Sequence, residues 1–264
     1  MNKHYKLLAV LSTAAAMSAA TPALALSIPG NVSTVLAATA GWLNEDGELR
    51  YKDSEGYYLT DSWKKKDGEW YYLNEDGYIS RSSMIDEYYV NEEGRRVINQ
   101  WISESNEDEW DSEAPDTYWY YYGKDGRSVI SKWQEIDGKR YYFGDDGKMR
   151  TGFTNIGGDI YYLDEGGQPL TGDAFIGENR YHFSDEGVMH TGWLTSEDGM
   201  RYYQADGTMA TDWQEIGGKR YYFGENGVAA TGWYQEGEYS YYFLPDGSAA
   251  VGPTEIDGET HYFT

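Results

Sequence analysis

Residues 132–151 read KWQEIDGKRYYFGDDGKMRT, and this stretch decides the fold. Asp137-Gly138 stands between two short runs, KWQEI and KRYYF, which is the strongest short hairpin signal a sequence offers. A second turn, Asp145-Asp146-Gly147, follows, and a short connector leads out of the unit. Glycine twice per 20 residues and Tyr-Tyr-Phe runs exclude helix. Within KRYYF the side chains alternate: Arg140 and Tyr142 point to one side, Tyr141 and Phe143 to the other.

Working outward, the same unit recurs. Turn glycines fall at Gly147, Gly167, Gly187, Gly207, Gly227 and Gly247, each 20 apart, and Thr151, Thr171, Thr191, Thr211 and Thr231 keep the same step. Aromatic pairs keep time within one residue from Tyr141-Tyr142 to His261-Tyr262, and the rhythm continues less cleanly upstream through Tyr71-Tyr72, Tyr88-Tyr89 and Tyr120-Tyr121. About eleven units run from Gly41, the last cut short at Thr264. A lone two-stranded hairpin is at best marginally stable, so the units must stack on their neighbours. The predicted fold is therefore all-β, a solenoid of stacked β-hairpins built from about eleven 20-residue repeats. Both strand faces carry aromatics, as packing between two neighbours requires. Tyrosine suits so thin a core, because its ring is buried while its hydroxyl reaches water.

Composition excludes several functions. The chain of 264 residues carries a formal charge of −24, which argues against nucleic acid and against anionic lipid heads. Its 27 Tyr and 10 Trp argue against disorder despite that charge. There is no Cys, so disulfides, thiol nucleophiles and thiolate metal sites are all absent. At the N-terminus Lys3 and Lys6 precede an apolar, Ala-rich stretch, and Ala23-Leu24-Ala25 offers small residues for a signal peptidase. The expectation is a signal peptide over residues 1–25, with an alternative cleavage after residue 40 at Ala38-Thr39-Ala40. A short linker over 26–40 and the repeat solenoid over 41–264 follow. With the leader removed, no transmembrane anchor is expected, and the product is secreted and cell-wall associated.

The pattern GW-x-x-x-x-G-x-x-YYF-x-x-x-G resembles the cell-wall-binding, or choline-binding, repeat family. That family includes lysin anchors, the glucan-binding repeats of glucosyltransferases and the C-terminal repeats of clostridial toxins. The resemblance covers residues 41–264 and implies binding in grooves between successive hairpins. Choline-binding versions typically carry Trp before the Tyr-Tyr pair, where most units here carry Arg140, Ile160, Arg180, Arg201, Arg220, Ser240 or Thr260. Trp70 and Trp119 are the two exceptions. By resemblance, a choline site takes two aromatics from one hairpin and a third from the next. That implies two boxes, Trp63, Trp70 and Tyr88, then Trp101, Trp119 and Tyr141. The remaining grooves are expected to be of glycan type, with Trp133, Arg140, Tyr161, Trp193, Arg201, Trp213, Arg220, Trp233 and Tyr241 as ligand-binding residues. A guanidinium at the box position repels a quaternary ammonium but stacks on rings and donates to sugar hydroxyls.

Other features read as structure. The Trp residues at hairpin starts serve as stacking core or as ligand platforms. The acidic insertion over residues 103–117, SESNEDEWDSEAPDT, lacks the spacing and fixed glycine of calcium loops and reads as a solvated loop. His182 and His261 stand at Tyr positions. No Ser-His-Asp order, HExxH or phosphate-binding loop occurs, so no catalysis, no metal and no cofactor is expected. Three classes of function remain. The first is a surface protein held non-covalently on a cell-wall polymer, such as a choline-bearing teichoic acid or polysaccharide. The second is a secreted adhesin for glucan or host glycan, and the third a ligand-free stalk.

Overall fold

The computed structural model describes residues 39–106 and 115–264. The expected leader and nearly all of the linker lie outside the described residues, as does the middle of the acidic insertion.

Twenty-two strands, from β1 (Gly41–Glu45) to β22 (Glu259–Phe263), pair as eleven antiparallel two-stranded sheets, each made of consecutive strands. In the deciding stretch, β9 (Lys132–Ile136) pairs with β10 (Lys139–Phe143), placing Trp133 opposite Tyr142 and Gln134 opposite Tyr141. Asp137 and Gly138 both take positive φ, 52° and 75°, as a type I′ turn requires. That turn twists in the sense of the strands it joins, which is why Asp-Gly closes this hairpin.

The core is a single column. Leu73, Val90, Tyr122, Phe143, Leu163, Phe183, Tyr203, Phe223 and Phe243 are the most deeply buried large side chains, and each ends the second strand of its hairpin. Nine of the eleven described hairpins contribute one such residue each, as a one-dimensional core requires. After each core residue a tight turn brings the chain back to bridge it: Val90 to Arg96, Phe143 to Met149, Leu163 to Pro169. The acidic residues of these turns act locally. Asp146, Asp206 and Asp246 each accept the backbone N–H two residues on, at 3.0 Å.

Hairpins are joined to one another by the connectors. The Met149 N–H donates to the Trp119 carbonyl and the Arg96 N–H to the Trp70 carbonyl, both at 2.8 Å. Each unit thus hangs on the second strand of the one before.

Two hairpins depart from the standard length. The third, β5 (Ser83–Ile85) with β6 (Tyr88–Val90), is the shortest. The fourth, β7 (Gln100–Ser105) with β8 (Thr117–Tyr122), is the longest. Its length corrects one expectation. The acidic insertion does not start as loop at residue 103, because Ser103, Glu104 and Ser105 pair with Trp119, Tyr118 and Thr117. The strand-forming run TYWYYY offers partners beyond the usual five positions, so the ladder extends into the insertion.

Candidate functional site: aromatic grooves between hairpins

Seven of the eleven described hairpins carry a Trp near their start, and this ring spans two units. Trp101 meets Tyr121 of its own hairpin at 5.3 Å between ring centroids and Tyr141 of the next at 5.0 Å, both edge-on. Trp63, Trp133, Trp193 and Trp213 do the same with Tyr88, Tyr161, Tyr221 and Tyr241, at 5.4, 5.1, 4.9 and 4.7 Å. These pairings are stacking core, and they also build a row of similar grooves. What differs between grooves is the residue two places before the Tyr paired with the Trp and the connector residue beneath it.

In the groove of the fourth and fifth hairpins, Trp119 joins the set, its ring 6.3 Å from Trp101 with planes at 83°. Trp101, Trp119 and Tyr141 line a cavity of about 380 Å³ together with Met149, Glu165 and Gly166. Trp119 keeps 43% of its surface exposed although it sits in a strand. The wall is three ring faces and a thioether, with one carboxylate at the rim. This suits a cation with an apolar surface, which ring quadrupoles attract and which needs no hydrogen-bond acceptor. Trp119 and Met149 also border a second cavity of about 310 Å³ on the Pro115 side, so the indole is a wall between two openings.

The box of Trp63, Trp70 and Tyr88 is differently filled. Trp63 and Tyr88 are in ring contact, but the guanidinium carbon of Arg96 lies 5.2 Å from the Tyr88 ring and 5.8 Å from the Trp70 ring. Arg96 occupies the connector position that Met149 holds in the other box. Arginine also enters two grooves from the second strand. Arg140 lies 3.8 Å over Trp133, and Arg220 lies 4.5 Å over Trp213.

One of the anticipated glycan-type residues stands elsewhere. Arg201 does not join Trp193. Counted from the tryptophan it is one place beyond Arg140 and Arg220, so it faces the other way and pairs with Leu194. It is buried, donating to the Asp198 carboxylate, the Ser196 hydroxyl and the Asn226 carbonyl. Met200 takes the box position instead. Trp233, in the last complete groove, meets His261 at 5.2 Å and Phe263 at 5.9 Å rather than a Tyr of the following unit. Arg180 turns to an acid: in its groove Asp173 replaces the Trp, and Arg180 and His182 both hold its carboxylate. Burial alone would raise the Asp173 pKa, but the bonds from His182 and Arg180 hold it below the usual carboxylate value.

Sequence reasoning missed Arg96, Met149 and Glu165. A signal for the first two was available, since each lies six residues after the core residue of its unit, Val90 or Phe143. A larger cavity of about 930 Å³ opens around Tyr121, Lys124, Arg127 and Lys132. Its lining mixes both charges with a single ring, so it offers no aromatic box.

Comparison with known proteins fits this geometry. A family model described as choline-binding repeat matches residues 129–173 and 210–251, and one described as putative cell wall binding repeat matches residues 61–79. These segments of the chain are similar to choline-binding repeats. Among solved structures, CbpJ of Streptococcus pneumoniae TIGR4 superposes with a TM-score of 0.66 at 24% identity, over 85% of this chain and 91% of that one. Choline-binding protein F of Streptococcus pneumoniae, solved with a peptidoglycan analogue, gives 0.63 at 24% identity, over 84% and 90%. The choline-binding domain of CbpL from Streptococcus pneumoniae gives 0.55 at 28% identity, over 75% of this chain and all of that domain. No curated protein sequence matches the chain. The first two likenesses establish the hairpin solenoid; the matched choline-binding repeats place the Trp133 and Trp213 grooves within recognised units. Among the described residues no helix is long and apolar enough to cross a membrane.

Proposed function

We propose that this protein is exported and attaches non-covalently to a choline-bearing cell-wall polymer through its aromatic grooves, as a binding protein and not an enzyme. The observation that carries the reading is the convergence of Trp101, Trp119 and Tyr141 from two hairpins around one cavity. Each ring face adds about 0.5–2 kcal/mol to a bound quaternary ammonium, so a three-ring box gives about millimolar affinity. The negative surface adds a screened attraction. Retention on a polymer then depends on engaging it at several grooves, which multiplies weak affinities.

A specific observation favours a second ligand in other grooves. Arg140 over Trp133 and Arg220 over Trp213 present a guanidinium beside a stacking ring, a pairing suited to neutral sugar rings and their hydroxyls. We read these grooves as contacts for the glycan of the same polymer.

The test is retention on wall preparations with and without choline headgroups. The reading expects binding only to the choline-bearing wall and elution by free choline. Equal retention on both, unaffected by choline, would favour glycan binding alone.

A further inference from the structure

We infer that Arg96 is a built-in occupant of the first aromatic box: its guanidinium takes the seat between Trp70 and Tyr88, so the protein offers its two double-tryptophan boxes unequally, one open and one closed by its own cation. This inference rests on the reading of the Trp101 groove as a cation seat.

The two boxes correspond in their three aromatic residues and in the place of the connector residue, and they differ there most in charge, Arg96 against Met149. In each, a Trp seven or more residues past the hairpin Trp gives its carbonyl to the connector N–H of the next unit, Trp70 to Arg96 and Trp119 to Met149. In each, a connector glycine of positive φ closes over that residue. A Cβ on Gly126 would lie 2.9 Å from the Arg96 Nε, and one on Gly167 would lie 2.5 Å from the Met149 Sδ. Arg96 and Met149 are thus equivalent side chains beneath equivalent lids. With methionine there, the groove is a cavity; with arginine, the space between the rings is filled.

The environment of Arg96 shows what holds it. Its Nε is buried with no hydrogen-bond partner, and it forms no ion pair among the described residues. The other surroundings are the rings of Trp70 and Tyr88, at 5.8 and 5.2 Å. A guanidinium in such a place is held by ring faces, the same interaction that would hold a quaternary ammonium. The Tyr88 hydroxyl is further engaged by Arg127, whose Nε donates to it at 3.2 Å. A second cation entering this box would meet Arg96 at van der Waals range, where like charges repel. The internal guanidinium is also tethered, so it competes at an effective concentration that dissolved choline does not match.

The experiment is calorimetric titration of the full chain with choline, reading stoichiometry, on the wild type, Arg96→Met, Trp119→Ala and the double variant. Arg96→Met gives the first box the connector residue of the second. The inference expects one choline per wild-type chain, two for Arg96→Met and one for the double variant. Arg96→Gln, which keeps a polar side chain, is a second way to remove the charge, and near-ultraviolet circular dichroism checks that each variant keeps its packed indoles. Equal stoichiometry in wild type and both Arg96 variants overturns the inference. If the wild type and Trp119→Ala bind nothing while Arg96→Met binds one, the inference stands and the reading of the Trp101 groove fails. If no variant binds choline, both fail.

Discussion

Trp101 and Tyr141 belong to different hairpins, yet their rings lie 5.0 Å apart with planes at 73°. The contact both holds neighbouring units together and shapes the groove, so stability and binding draw on the same side chains. Trp119 differs: it projects from the wall of that groove and is 43% exposed. Its removal is expected to cost binding with little loss of fold.

Gly167 combines a φ of +80° with the Met149 Sδ only 2.5 Å from where a Cβ would sit. Gly167→Ala is expected to destabilise by about 1–3 kcal/mol through strain and displacement of Met149. Gly157, at φ +68° with open space around it, is the control. Its alanine variant pays only the backbone cost, about 1 kcal/mol. Denaturant melts followed by tryptophan fluorescence would rank the two, and equal losses would mean that the Met149 contact is unimportant.

Tyr122 is almost fully buried, its hydroxyl has no hydrogen-bond partner, and burial drives its pKa well above the ordinary tyrosine value. Phenylalanine stands at the same position in five other units, at Phe143, Phe183, Phe223, Phe243 and Phe263. Tyr122→Phe removes an unsatisfied group without leaving a cavity and is expected to be neutral or to stabilise by about 1 kcal/mol. A lower melting temperature would show that the hydroxyl is bonded in solution.

The connector carboxylate of Asp246 is pulled down to about 2, first by the Ser248 hydroxyl and then by the Lys219 ammonium of the preceding unit, 2.9 Å away. A depressed folded-state pKa contributes stability that is complete above the unfolded value of 3.8 and is lost as pH falls toward 2. Thermal melts from pH 5 to 2 should therefore fall more steeply for the wild type than for Asp246→Asn. Parallel curves would exclude this pair as a source of acid lability.

The hairpin fold was legible in sequence because its determinants are local. Asp137-Gly138 fixes one turn, and the 20-residue step fixes the stacking. The tryptophan and tyrosine of the grooves were named from the resemblance to the choline-binding repeat, with which strand alternation agrees. Arg201 was misplaced because its unit was counted back from Tyr202-Tyr203, a pair that sits one place later relative to Trp193 than Tyr141-Tyr142 does relative to Trp133. The cross-strand register starts from the tryptophan, and one residue turns a side chain to the opposite face. Arg96 was invisible for another reason. Its role comes from a bridge to Val90 and a bond to the Trp70 carbonyl of the preceding hairpin, neither of which a strand pattern encodes.

Deletion tests the stacking directly. Removing residues 152–171 takes out β11 (Gly152–Ile156), β12 (Asp159–Leu163) and one connector, joining Thr151 to Gly172 in the same phase. The shortened chain is expected to fold, whereas removing residues 152–161 leaves only Tyr162 and Leu163 of that hairpin, breaks the 20-residue phase and unfolds the adjacent hairpins. Circular dichroism and limited proteolysis distinguish these outcomes, and equal collapse of both would contradict a one-dimensional core.

The central claim is that the Trp101, Trp119 and Tyr141 groove seats a quaternary ammonium, and choline titration followed by tryptophan fluorescence tests it most directly. The intact protein is expected to saturate with a dissociation constant on the order of millimolar. Trp119→Ala, which removes one ring face, is expected to weaken binding about 3- to 30-fold. A silent titration of the intact protein, or superimposable curves for the two proteins, would contradict the account.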